Sequence, residues 1–306
     1  MNDIKNTVLL AETHIRPYIR ETPLKFSETL NTYLKCENLQ HTGAFKVRGA
    51  FNKLLSLTPS QRKLGVATAS TGNHGAAVAF GLKTLNIPGI IFVPENASPK
   101  KIINIRHYDA TLEFFGTDCI QTELHAIEYA KKNNMIYVSP YNDLAIIAGQ
   151  GTIGLELKKQ LHKIDAIFVP IGGGGLISGI AGYIKSVSPE TKIIGCLPKN
   201  SPVMAESIKA GRIIKMETLP TLSDATAGGI EPGAITFEFC QKYVDDYILV
   251  SESEIQDAMN TLIKTDNLKV EGAAGVALAS LFQTAKKFEG KNTVVILSGG
   301  NINDEN

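Results

Sequence analysis

The sequence carries almost no net charge: 31 lysines and arginines stand against 30 aspartates and glutamates, a formal +1 over 306 residues. With no long-range field to favour nucleic acid, an anionic membrane or a cationic partner, any anion site has to be built locally. Long hydrophobic runs are missing as well. No stretch reaches the roughly 18 apolar residues of a membrane-spanning helix. The start, MNDIKNTVLLAETHIRP, places Asp3, Lys5 and Glu12 where a signal peptide needs an apolar run. A cytoplasmic protein is expected. Cysteine is scarce: Cys36, Cys119, Cys196 and Cys240 are widely spaced and form no C-x-x-C pair. That argues against a zinc site and a disulfide framework and predicts reduced, mostly buried thiols. Internal repeats, low-complexity tracts and long linkers are absent too.

What is present is ordinary globular composition, 43% apolar and 20% charged, in a chain long enough for about two domains. An amphipathic pattern at Ile4, Val8, Leu9 and Ile15 predicts a helix ending before Pro17, and the run Thr32 to Cys36 predicts a strand. Strand-like runs follow at Val66 to Ala69, Gly89 to Pro94, Thr111 to Phe115, Met135 to Val138, Ala166 to Val169, Ile193 to Cys196, Tyr247 to Val250 and Val294 to Leu297. Between them, helical spacing is clearest at Ala76 to Leu85, Cys119 to Lys132, Ile147 to Leu161, Glu254 to Lys264 and Ala273 to Ala285. Repeated β-α units predict an α/β protein with two open, twisted parallel sheets covered by helices. The polar stretch SPYND suggests a boundary near residue 144, and Pro59 among polar residues a break at Ser56 to Lys63. The final NINDEN reads as a surface tail.

The 27 glycines are clustered. Gly149, Gly151 and Gly154 spell G-x-G-x-x-G after AIIA, which could be taken for a strand, so a dinucleotide site has to be considered. The rest of that fingerprint fails: the acidic residue required about 20 positions on is replaced by Phe168, Val169 and Pro170. Close helix packing is the alternative. The second cluster, Gly172 to Gly175, lies between the buried-strand pattern AIFVP and the helical pattern LISGIAGYIK. Strand, four glycines and helix make an anion cradle, in which backbone N–H groups and a helix N-terminus converge on a phosphate. No Lys-Ser/Thr follows, so the P-loop pattern is absent, and a permanently bound cofactor suits such a loop better than a transferred phosphoryl group. Ser70-Thr71-Gly72-Asn73-His74-Gly75, between a strand and a helix, offers a second anion site sized for a carboxylate. Lys46 in HTGAFKVRGA, flanked by Phe45 and Val47, reads by itself as a snorkelling surface residue, since Schiff-base chemistry needs a site that lowers its pKa by desolvation or a neighbouring positive charge. Ser298-Gly299-Gly300-Asn301 after VVIL is either a plain turn or a place from which a serine meets a buried ring nitrogen.

Together and in this order, these features resemble the serine/threonine dehydratase and serine racemase group of fold type II pyridoxal-phosphate enzymes. The resemblance runs from KCENLQHTGAFKVRGA through STGNHG, AGQGT and PIGGGGLISG to LSGGN, essentially the whole length. It implies a tryptophan synthase β-like fold, with residues 1–50 and 145–306 forming a large cofactor-binding domain and residues 51–144 a small domain carrying the substrate-carboxylate loop. It further implies that Lys46 holds pyridoxal 5'-phosphate as a Schiff base, Phe45 packs against it and Asn73 hydrogen-bonds its phenolic oxygen. By the same resemblance Gly172, Gly173, Gly174 and Gly175 hold the phosphate beside the N–H of Leu176, and Ser298 meets the pyridine nitrogen. The substrate carboxylate is expected on Ser70, Thr71, Gly72, Asn73 and His74, with Lys46 as the base.

A hydroxyl on the ring nitrogen does not stabilise a pyridinium charge as a carboxylate does, which leaves a weaker electron sink and suits elimination. The implied activity is an ammonia-lyase that converts L-serine or L-threonine to a 2-oxo acid and ammonia, in a homodimer acting on a small amino acid. Two positions depart from the family. Thr71 stands where racemases carry a second serine, and its extra methyl crowds the proton's approach. Leu197 stands where the family's divalent-cation site has a glutamate, so no metal is expected there. Glu271 in VEGAAG is either a helix-capping charge or an active-site neighbour. Serine racemase remains the alternative activity, followed by β-replacement as in cysteine synthases and, in another class, a non-catalytic metabolite-binding protein.

Overall fold

The computed structural model describes residues 3–117 and 119–302. The chain opens with α1 (Ile4–Ile15), β1 (Leu24–Ser27), β2 (Thr32–Cys36), α2 (Lys46–Ser56) and α3 (Pro59–Leu64). It continues through β3 (Val66–Ala69), α4 (Asn73–Leu85), β4 (Gly89–Val93), α5 (Pro99–Arg106), β5 (Thr111–Phe114), α6 (Cys119–Lys132) and β6 (Ile136–Tyr137). Then come α7 (Leu144–Gln160), β7 (Ala166–Pro170), α8 (Gly175–Val187), β8 (Lys192–Pro198), α9 (Val203–Ala210), α10 (Ile235–Tyr243) and β9 (Asp246–Val250). The last elements are α11 (Glu252–Asp266), α12 (Gly272–Gln283) and β10 (Thr293–Leu297).

Among the described residues these strands make two sheets, ordered β1-β2-β10-β7-β8-β9 and β5-β4-β3-β6. Every residue of β7 and β10 is buried, as expected of central parallel strands covered on both faces. The larger sheet departs from the all-parallel expectation at one edge, where β1 pairs antiparallel with β2. This four-residue strand, half-exposed and without a clear alternation, gave no signal in the sequence.

Two segments that the sequence leaves ambiguous take a definite form. The AIIA segment before Gly149 is not a strand but lies in α7, which begins where the SPYND boundary was placed, because the Asp143 side chain accepts from the N–H groups of Ala145 and Ile146. The three glycines of the G-x-G-x-x-G pattern are therefore helical and serve close packing. A Cβ at Gly149 would stand 2.6 Å from the Arg48 carbonyl oxygen on α2, and one at Gly151 3.0 Å from the Gly179 carbonyl oxygen on α8. The break at Ser56 to Lys63 contains α3, started by Pro59 at its first turn and a reciprocal capping box between Thr58 and Gln61. Cys36, Cys196 and Cys240 are free, buried thiols. The side chain of Cys119 and the tail from residue 303 lie outside the described residues.

Beneath α2 lies a wholly buried charge network. Arg48 donates from Nε and Nη2 to the two oxygens of Glu37, at 2.8 and 2.9 Å, and from Nη1 and Nη2 to those of Glu156, at 2.7 and 2.9 Å. Lys35 on β2 adds a second cation to Glu156 and donates to the Thr22 carbonyl oxygen at 2.7 Å. Two cations and two anions cancel, and the guanidinium fork matches two carboxylates, which is what lets four charges stay dry. The network joins α2 to α7, β2 and the segment before β1, and so fixes the helix whose first residue is Lys46.

Candidate active site

A cavity of about 520 Å3 is lined by Phe45, Lys46, the Ser70–Ala76 region, Tyr141, the Gly172–Leu176 loop, Glu271 and Ser298. Sequence positions spread over the whole chain thus meet on one surface.

Lys46 stands at the start of α2, and its Nζ donates to the Pro140 carbonyl oxygen at 2.8 Å and lies 5.3 Å from the centre of the Phe45 ring. Burial brings its pKa down to about 8, against the pull of the Glu271 carboxylate, which favours the charged amine. A lysine in this state holds an appreciable neutral fraction near pH 7 and can act as nucleophile or base.

The glycine loop is bounded by the end of β7 and the start of α8. Gly174 has a φ of +88°, a conformation that side chains rarely adopt, and a Cβ there would stand 2.9 Å from Met204 Cε. A Cβ at Gly172 would be 2.9 Å from Thr226 Cα, and one at Gly173 would run into the Tyr141 ring. The loop is therefore backbone by necessity, and the first turn of α8 leaves N–H groups without intrahelical acceptors. Beside Gly174, Thr236 Oγ1 is buried and unpartnered.

The N-terminus of α4 is open in the same way: its cap, Gly72, supplies no side-chain acceptor. Ser70 Oγ accepts from the Gly72 N–H at 3.1 Å, which shapes the turn. His74 is buried and held neutral: burial first, then Lys46, pushes its pKa down to about 3. Its Nε2 lies 3.0 Å from Thr68 Oγ1 and 3.2 Å from the Val138 carbonyl oxygen. His74 accordingly brings no positive charge to a carboxylate, and anion binding at this turn rests on N–H and hydroxyl groups.

Glu271, for which the sequence allows either a capping charge or an active-site neighbour, lines the cavity. It occupies the N-cap position of α12 without a side-chain capping bond. Its oxygens instead accept from Asn73 Nδ2 at 2.8 Å and Ser298 Oγ at 3.3 Å. Burial pushes its carboxyl up to about 7. Tyr141 and Asn301, to which the sequence reading gave no role, also line the cavity. For Asn301 the signal was its place just after the Gly299-Gly300 pair at the end of a strand.

The family model for "Pyridoxal-phosphate dependent enzyme" matches residues 15–299. The chain belongs to this family. It is 39% identical over 308 residues to an L-threonine ammonia-lyase of Thermotoga maritima, covering 99% of this chain and 75% of that one. It is 41% identical over 272 residues to a catabolic L-threonine dehydratase of Escherichia coli, covering 88% and 82%. Among solved structures, maize serine racemase matches with a TM-score of 0.93 at 33% identity, over 98% of this chain and 94% of that one. Tomato threonine deaminase isoform 2 matches with 0.94 at 33%, over 98% and 84%. The two-sheet α/β architecture is that of fold type II enzymes, and the cofactor is pyridoxal phosphate.

The residues of this chain fit that cofactor. A side-chain-free loop at a helix N-terminus, with the unpartnered Thr236 hydroxyl beside it, suits a phosphate, and a buried amine of lowered pKa suits an aldehyde. Replacing Gly174 by Asp is expected to weaken cofactor retention at least tenfold, since it places a Cβ against Met204 and a negative charge at an anion site. Dialysis against buffer followed by visible absorption measures this, and undiminished occupancy counts against the loop. Because only the neutral amine attacks an aldehyde, covalent attachment of the cofactor to the apoprotein is expected to speed up with rising pH and level off above about 8. An ordinary lysine would level off only near ~10.4. Stopped-flow absorption distinguishes the two.

Proposed function

We propose that the protein is a threonine/serine ammonia-lyase, releasing a 2-oxo acid and ammonia from a β-hydroxy amino acid. The observation that carries this is the meeting of Lys46, the glycine loop, Ser298 and the open α4 N-terminus on one cavity. The relatives, an L-threonine ammonia-lyase and a catabolic L-threonine dehydratase, agree with it. In this reading Gly172 to Gly175, with the N–H of Leu176, hold the cofactor phosphate, Phe45 flanks the ring, Ser298 takes the ring nitrogen and Asn73 takes the phenolic oxygen. The domain division of residues 1–50 and 145–306 against 51–144 belongs to the same proposal. It is supported by the separation of β3–β6 into their own sheet.

The cofactor, once bound, supplies the electron sink that acidifies the substrate α-carbon. The rest falls to the chain. The turn from Ser70 to His74 orients the substrate by its carboxylate, using N–H groups at the start of α4 and the Ser70 and Thr71 hydroxyls. Lys46 Nζ, neutral in part because it is buried, removes the α-proton. Glu271 holds Asn73 and Ser298 in place by accepting a hydrogen bond from each. Departure of the β-hydroxyl as water, and readdition of water with loss of ammonia, balance the reaction: threonine gives 2-oxobutanoate and serine gives pyruvate.

Formation of the 2-oxo acid from L-threonine or L-serine without an added thiol separates elimination from β-replacement, and no product at all leaves a binding protein. The similarity to maize serine racemase and the Thr71 hydroxyl in the cavity keep a second reading open to test. Elimination through Lys46 predicts that Thr71→Ala keeps the maximal rate of deamination, at a raised KM for the lost carboxylate contact, and abolishes any D-serine formation. D-serine forming faster than pyruvate would overturn the lyase reading in favour of racemase. A chelator is expected to leave the rate nearly unchanged, since Leu197 is buried in the apolar core and offers no oxygen. Cytoplasmic location, a homodimer and independence of nucleic acid complete the proposal. Three free buried thiols support the location and the near-zero charge the independence of nucleic acid, and light scattering tests the oligomeric state.

A further inference from the structure

The contact assigned to Asn73 requires its side-chain amide to present nitrogen, the donor, to an anionic oxygen. The two ends of an amide have nearly the same shape, so the surroundings must choose between them. Here the choice starts at a backbone carbonyl. One end of the Asn301 amide lies 2.9 Å from the Thr42 carbonyl oxygen, which can only accept, so that end is Nδ2. The same nitrogen lies 2.8 Å from the Asn73 side chain, whose facing atom must then be Oδ1. The other end of Asn73 is thereby Nδ2, and it stands 2.8 Å from Glu271 Oε2, again an acceptor. Each orientation forces the next, from main chain to cavity.

The segment that carries Asn301 is tied to the turn before Lys46. The Gly300 N–H donates to the Gly43 carbonyl oxygen at 2.9 Å. Gly43 has a φ of +72°, and a Cβ on it would stand 2.5 Å from Asn301 Oδ1. The turn before Lys46 and the segment after β10 are thus closed on each other where the relay begins.

We propose that Asn301 is a positioning residue that sets the polarity of the Asn73 amide, so that Asn73 offers N–H and not C=O to the phenolic oxygen of the cofactor. The inference rests on the role given to Asn73 above. Asn301→Asp is nearly isosteric but accepts where Asn301 donates. It would draw the nitrogen of Asn73 towards itself and leave the oxygen facing the cofactor.

The test measures pyridoxal phosphate affinity by equilibrium dialysis, and the visible band of the bound cofactor, in Asn301→Asp, Asn301→Ala, Asn73→Ala and the double variant Asn73→Ala/Asn301→Asp. Melting of each apoprotein shows that it folds. Asn301→Asp is expected to weaken binding about tenfold or more and to shift the band, whereas Asn301→Ala, which only frees Asn73 to rotate, costs less. On the Asn73→Ala background Asn301→Asp is expected to add less than about twofold. A packing role makes the opposite forecast, with Ala worse than Asp and the same cost in both backgrounds, and that result overturns the proposal. If Asn73→Ala changes neither affinity nor band, the role of Asn73 falls and the inference with it. A clear effect at Asn73 with none from Asn301→Asp sinks the inference alone. Should Asn301→Asp fail to fold, the cycle is run with Asn301→Ala. A cost that vanishes in the Asn73→Ala background then supports the relay, and one that persists overturns it.

Discussion

Replacing Lys46 by alanine is expected to lower turnover roughly a thousandfold or more, because under the proposed function it removes both the attachment point of the cofactor and the base for the α-proton. The fold should survive. Lys46 is the first residue of α2, its hydrogen bond is a single one to the Pro140 carbonyl oxygen, and its burial disfavours the charged amine. A melting temperature close to that of the parent, together with lost 2-oxo acid formation, is the expected pair of results. Borohydride reduction of the parent followed by peptide mapping should place the label on Lys46. A label on another lysine, or a variant within tenfold of parental activity, would falsify the assignment.

The second large effect lies two residues on, and it concerns stability. Arg48→Met is expected to cost about 3–5 kcal/mol, because it leaves buried carboxylates without their guanidinium. Glu37 would keep the Thr22 hydroxyl and Glu156 would keep Lys35, which together replace neither fork. Urea unfolding measures the loss, and a cost below about 1 kcal/mol would show that water reaches the network. Adding Glu37→Gln to Arg48→Met should cost less than the sum of the single changes, since the second replacement removes a charge that the first has stranded.

These two residues illustrate what the sequence made legible. The glycine loop was readable as an anion cradle because its signal is local: a strand pattern, four glycines and a helix pattern occupy adjacent positions, and the structure keeps them adjacent in β7, the loop and α8. Lys46 gave no signal of its own and drew its expected role from the family resemblance. Arg48 stands in the same motif, but its meaning depends on Glu156, 108 positions away. No periodicity reports a pairing over that distance. The same holds for Asn73 and Asn301, 228 positions apart. The G-x-G-x-x-G pattern was ambiguous for a different reason, since close approach of a phosphate and close approach of a neighbouring helix ask the same thing of a residue, the absence of a side chain. β1 escaped notice because an edge strand of four half-exposed residues owes its conformation to β2 more than to its own pattern.

The strand order of the larger sheet also governs when during synthesis this enzyme can first exist. β10 lies between β2 and β7, with Val294 opposite Tyr33 on one side and Ile167 on the other. A ribosome therefore delivers β2 and β7 with a gap between them that stays open until residue 297 has emerged. Meanwhile the four strands of the smaller sheet, all made between Val66 and Tyr137, can already assemble. During that interval the nascent chain exposes parallel edges able to pair with another copy, which is when aggregation threatens it most. With Ser298 and Phe45 in the cofactor roles proposed above, cofactor capture is late as well. Ser298 and Phe45 are brought together by the bond from the Phe45 N–H to the Ser298 carbonyl oxygen, which forms only once the final strand is in place.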